Sequence, residues 1–172
     1  MLGATAFTGH YGGMTTERAF TVHRTVQAPP AEVFRAWTEP SQLGWFFSGE
    51  GSPGEPEVDL RVGGAWRQLM IIADDEQYVT GGVYREIVPG ERLVFTWGAE
   101  GGWPVPDENA PVVTVEFAAA GDATEMSLTH AFPDALSDEA VSDQLATGME
   151  AGWGMTVDRL VRQFDPVTPA TQ

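Results

Sequence analysis

Between Val58 and Ala131 apolar and polar residues alternate with a period of two, and the gaps between the runs are short. Gly63-Gly64, Ala73-Asp74-Asp75-Glu76, Pro89-Gly90 and Gly121-Asp122 mark turns between them. A parallel crossover needs about a dozen residues. The strands predicted at 57–62, 65–73, 78–88, 91–98, 111–119 and 123–131 must therefore pair antiparallel. One earlier strand is expected where Phe20, Val22, Arg24 and Val26 alternate with Thr21, His23 and Thr25. Ala28-Pro29-Pro30 stops it, and Pro30 suits the first turn of a helix carrying Val33, Phe34 and Trp37. Pro40 ends that helix and seeds a second short one, SQLGWFF.

After the last strand the period changes. Val141, Leu145, Met149, Trp153, Val157, Leu160 and Phe164 recur at steps of three or four, which predicts one long helix over 138–164. Ser137 is placed to cap it, with Asp138 and Glu139 in the first turn. Gly148, Gly152 and Gly154 fall inside this predicted helix, where each costs about 1 kcal/mol relative to Ala. Gly148 and Gly152 share a face beside the Met149–Trp153 stripe, which close approach to the sheet or to a ligand would explain; the plainer alternative is a bent helix, or one that starts later than 138. The whole pattern predicts an α+β fold: a curved, seven-stranded antiparallel sheet wrapped around a long C-terminal helix, with two short helices after the first strand. Gly81-Gly82 inside a strand predicts a bulge or sharp bend.

The 172 residues correspond to one domain. Residues 1–17 read as an N-terminal extension, 18–164 as the domain and 165–172 as a tail. The absence of Cys excludes disulfides, thiolate nucleophiles and Cys-ligated metals. All nine basic residues are Arg, so a catalytic Lys, a Schiff base and a P-loop are excluded too. The net charge is −16, and twelve acids but no Arg lie between Leu93 and Asp158. Such a surface repels phosphate, which argues against nucleic acid and anionic membrane as partners. No apolar run approaches the ~20 residues of a spanning helix, so no membrane insertion is expected. The N-terminus has no basic region followed by an apolar one, and a cytoplasmic protein, monomer or homodimer, is expected.

Several pieces resemble a known family when taken in order. They are Arg24 with Ala28-Pro29-Pro30-Ala31-Glu32-Val33-Phe34, Ala36-Trp37-Thr38 to Trp45-Phe46, and Asp59-Leu60-Arg61-Val62-Gly63-Gly64. Gly82-Val83-Tyr84 to Arg92-Leu93-Val94-Phe95-Thr96-Trp97, Thr129-His130, and Gly152-Trp153 to Asp158-Arg159-Leu160 follow. Over residues 18–164 the chain resembles the heat-shock-protein-90 ATPase-activator-like family of the START-like (SRPBCC) superfamily. The resemblance implies the helix-grip fold, with a cavity between sheet and C-terminal helix. It implies no single reaction: superfamily members bind or transport lipids, steroids and polyketides, and some catalyse cyclisation. Function has to come from the site.

GEGSPG at 49–54 has dinucleotide-loop spacing, but it follows a helical segment, and Pro53 and Pro56 prevent a helix after it. It reads as a loop, and no cofactor is expected. His10, His23 and His130 show no metal-ligand spacing, so no metal is expected either. His130 shares a strand face with Met126 and Leu128. It reads either as a core histidine bonded to a backbone carbonyl or as a polar anchor in a cavity. Arg61 and Arg67 are expected in surface ion pairs, with a ligand carboxylate as the alternative. Six Trp in one small domain are the strongest signal, because a tight core favours Leu or Ile and each indole N–H needs a partner. Residues 99–110, with Trp103, are expected to form a mobile rim. The reading is a cavity for a small apolar or aromatic molecule, lined by Trp37, Trp45, Phe47, Trp66, Met70, Tyr84, Trp97, His130, Met149, Gly152 and Trp153. The alternative is a cyclase- or hydrolase-type enzyme using His130 with Tyr84 or a cavity water. A co-chaperone-like interaction module, expected to expose an apolar patch, ranks third.

Overall fold

The computed structural model describes residues 18–46, 57–73, 76–99 and 110–165, with the side chains of 44, 46, 68–73, 76–79 and 98–99 set aside. The elements run β1 (Ala19–Val26), α1 (Pro30–Thr38), a 3-10 helix (Pro40–Phe46), β2 (Glu57–Val58), β3 (Ala65–Ala73), β4 (Glu76–Val88), β5 (Arg92–Thr96), β6 (Gly98–Ala99), β7 (Val112–Ala120), β8 (Ala123–Ala131), α2 (Asp138–Leu145) and α3 (Met149–Phe164). The sheet order is β1-β8-β7-β5-β4-β3-β2, with the two-residue β6 pairing beside β4. Every pairing is antiparallel. This is the curved seven-strand path around a C-terminal helix that the alternation predicts.

The bend in β4 has a local cause. Its first half pairs with β3 and β6, its second half with β5, and the register slips between Tyr84 and Glu86. A Cβ on Gly82 would lie 1.8 Å from the Thr96 carbonyl oxygen, so only glycine lets the two backbones approach this closely. The Thr96 hydroxyl accepts from the Val83 N–H at 2.8 Å, supplying the hydrogen bond that the bent ladder lacks.

Two predicted boundaries are corrected. The strand drawn over 57–62 stops at Val58, because Asp59 to Gly64 fold into a turn docked on β4. There Gly63 N–H donates to the Tyr84 carbonyl at 2.8 Å, and Tyr84 N–H donates to the Gly64 carbonyl at 2.9 Å. The helix drawn over 138–164 is two helices. Gly148 adopts φ 86°, a left-handed conformation that ends the first periodic run and caps the second. The first half keeps its predicted start: Ser137 Oγ accepts from Ala140 N–H at 3.0 Å.

The core lies between the concave sheet face and α1 and α3. Val26, Val33, Leu93, Val113, Val115, Leu128, Val157 and Leu160 are fully buried there. Arg24 ties β1 to α3, its Nε donating to Asp158 at 2.6 Å. A Cβ on Gly154 would meet Arg24 Nη2 at 3.2 Å, so Gly154 is the helix glycine at the close approach.

Candidate functional site

Four indole N–H groups each find an acceptor. Trp37 donates to Met126 Sδ at 3.3 Å, Trp45 to the Ala36 carbonyl at 2.9 Å, and Trp66 to the Thr96 carbonyl at 3.3 Å. Trp153 donates to Nδ1 of His130 at 3.0 Å. The expectation that buried indoles need partners is met, and none of these partners was readable from sequence.

The rings form one connected chain. Trp37 meets Trp45 at 4.7 Å and Phe95 at 6.2 Å. Phe95 meets Trp66 at 5.5 Å and Tyr84 at 6.3 Å. Trp66 meets Trp97 at 5.4 Å, Trp97 meets Trp153 at 4.9 Å, and Trp153 meets His130 at 6.2 Å. His130 stacks on Phe20 at 5.1 Å with 5° between planes. The structure therefore brings Trp37, Trp45, Trp66, Tyr84, Trp97, His130 and Trp153 together. Phe95 is the hub that the sequence reading missed. Its signal was available, since Leu93, Phe95 and Trp97 alternate onto one face.

Exposure divides this chain. Trp37, Trp45, Trp66, Tyr84 and Trp153 are buried, while Trp97 and Met149 are only partly buried. Met149 lies one turn before Trp153 and shares its helix face. The partly buried members of this region are thus Trp97, midway between Trp66 of the sheet and Trp153 of α3, and Met149, one turn before Trp153.

Three candidates do not behave as expected. Gly152 is exposed, and no described atom lies within 4 Å of where its Cβ would sit. It belongs to the outer face of α3, because helical geometry turns the residue before buried Trp153 by about 100°. His130 is 0% exposed, so it is no anchor on an open cavity face. Its Nδ1 is held by an indole rather than bonding a carbonyl, and its Nε2 has no hydrogen-bond partner. Gly148 lies outside α3 altogether. Phe47, Trp103 and its loop, the GEGSPG loop and residues 1–17 lie outside the described residues; so does the Met70 side chain.

The titrations follow from burial. Burial lowers His130 to about 4, so it is neutral at pH 7. Because Nδ1 accepts from Trp153, the proton of neutral His130 resides on Nε2. Burial, helped by the Asp59 charge, pushes the Tyr84 hydroxyl further up. β4 and β8 stand three places apart in the sheet, about 14 Å at ~4.8 Å per strand. Tyr84 and His130 therefore do not form an acid–base pair, which removes the form of the enzyme reading that joins these two residues. Arg61 pairs with Asp59 at 2.9 Å and Arg67 with Glu57 at 3.8 Å, as the ion-pair reading expects. Among the described residues no group of three or more His, Asp or Glu is placed to hold a metal, and no helix is long and apolar enough to cross a membrane.

A helix-grip sheet closed by α3, with an aromatic seam between them, defines a START-like protein. Residues 27–165 match the model of the Activator of Hsp90 ATPase homolog 1-like protein family, and the chain belongs to that family. Among solved structures, a Chromobacterium violaceum protein is 27% identical, with a TM-score of 0.66 over 88% of this chain and 100% of that one. CalU16 from Micromonospora echinospora is 25% identical, with a TM-score of 0.58 over 86% of this chain and 76% of that one. A Nitrosomonas europaea protein shares the fold at 21% identity, with a TM-score of 0.69 over 84% and 92%. No curated protein matches this chain.

Proposed function

We propose that this protein binds a small apolar or aromatic molecule at the seam between sheet and α3, against Trp97, Met149 and the rings behind them. The observation that carries the reading is Trp97. A partly buried indole stands between Trp66 of the sheet and Trp153 of the helix, offering apolar area where the core reaches solvent. The fold family commonly binds hydrophobic ligands, which supports the same reading. His130 acts behind this wall: its Nδ1 accepts from the Trp153 indole and so orients that ring. The enzyme reading loses the pairing of His130 with Tyr84, since β4 and β8 stand three places apart; its other form, His130 with a cavity water, would have to use a fully buried imidazole. Among the described residues the interaction-module reading has little apolar surface to use. The exposed large apolar residues among those described are Leu60 and Val62 in one turn and Met155 on α3.

The test is titration with the neutral fluorophore N-phenyl-1-naphthylamine, reading probe emission and energy transfer from Trp. Wild type should enhance the emission saturably. Trp97→Ala should weaken binding at least tenfold, whereas Val62→Ser should leave it unchanged. Unaltered affinity in Trp97→Ala would overturn the placement of the site.

A further inference from the structure

We infer that the seam selects uncharged or cationic ligands and rejects anionic ones such as carboxylates, sulfonates and phosphates. This rests on the proposed ligand site and names the chemistry it admits. An anion bound against apolar rings needs a cationic partner, because removing a charge from water without one is costly. The chain has no Lys, and all nine Arg are among the described residues, so the permanently charged side chains that could serve have known places.

Arg67 follows Trp66 in β3 and so points to the opposite sheet face, where it pairs with Glu57. Arg85 follows buried Tyr84 in β4 and is exposed. Arg24 lies against α3 at Gly154 and Asp158. Its Nε is bound to Asp158, and Nη1 and Nη2 donate to the carbonyls of His23 and Gly154. Arg159 and Arg162 lie on α3 ten and thirteen residues beyond Met149, about 15 and 20 Å along the axis. Arg159 also donates to the Trp45 carbonyl at 2.8 Å. Arg18, Arg35, Arg61 and Arg92 are each paired with Asp or Glu.

The surroundings add charge of the other sign. Glu150 is exposed in the first turn of α3 beside Met149. The segments outside the described residues contribute acids but no Arg or Lys. Excess negative charge repels an approaching anion over about one Debye length, ~8 Å at physiological salt. A hydrophobic ligand with an anionic head thus meets repulsion on approach and finds no partner when bound.

Two probes with one skeleton test this on the intact protein. N-phenyl-1-naphthylamine is neutral, and 8-anilino-1-naphthalenesulfonate differs from it by one sulfonate. At low salt the neutral probe should bind tenfold or more tighter. Added salt should narrow the ratio, and Met149→Arg should raise affinity for the sulfonate relative to the neutral probe at least tenfold. A wild-type ratio below tenfold overturns the charge selection while leaving the apolar site standing. Failure of both probes to bind overturns the proposed function, and the charge selection with it.

Discussion

The indole N–H of Trp153 on α3 donates to Nδ1 of His130 on β8 at 3.0 Å, joining helix and sheet by a hydrogen bond inside an aromatic seam. The bond fixes which imidazole nitrogen carries the proton and sets the plane of the Trp153 ring against Trp97. Removing the donor should therefore be felt at both residues. Trp153→Phe leaves a buried acceptor unpaired, a loss of about 1–3 kcal/mol before any cavity cost. Urea unfolding gives that loss. Nitrogen-15 spectra should place the wild-type proton on Nε2; a wild-type His130 carrying it on Nδ1 contradicts the bond.

Acid should weaken the protein through the same histidine. The folded-state value is about 4, against 6.5 for an unperturbed imidazole, so the unfolded chain binds the proton first as pH falls. The contribution is fully present above pH 6.5, is lost progressively as pH falls from 6.5 to 4, and changes no further below that. Between pH 8 and pH 5 it amounts to about 2 kcal/mol. His130→Phe should be less stable at pH 7 and should lose less stability over this interval. Parallel urea curves at the two pH values decide it; equal pH losses in the two proteins would count against His130.

The two glycines flanking the start of α3 should respond with opposite signs. Gly148→Ala places a Cβ at φ 86° and should destabilise by about 1–2 kcal/mol. Gly152→Ala adds a methyl to open space on an exposed helix face and should stabilise by up to about 1 kcal/mol. Thermal melts of the two variants compare them directly. Two variants moving in the same direction would restore the single uninterrupted helix.

The bend of β4 should depend on Thr96. Thr96→Val keeps the shape but leaves the buried Val83 N–H without its acceptor, which should cost about 1–3 kcal/mol. Gly82→Ala drives a Cβ into the Thr96 carbonyl and should cost more than that. Chemical denaturation ranks the pair, and a Gly82→Ala variant as stable as wild type would mean that the two strands do not approach this closely.

The alternation from Val58 to Ala131 determined the antiparallel sheet and assigned Trp66, Leu128 and His130 to its inner face. The step of three or four residues did the same for Trp153, Val157 and Leu160. The choice of Arg over Lys, and its absence from 93–158, was also complete in the sequence. These are local properties, set by backbone period and side-chain type. The tertiary structure alone decided which group each indole meets, that Phe95 joins three rings, and that His130 is enclosed. It also decided that α3 starts after a left-handed Gly148, with Gly154 rather than Gly152 against the Arg24 side chain. Those outcomes depend on strand order, twist and the angle at which the helix crosses. Trp153 finds His130 only because β8 lies next to β1, and β1 carries the helix through Arg24. A period of two or of 3.6 tells which way a side chain points, and the neighbour it reaches is settled when distant segments pack.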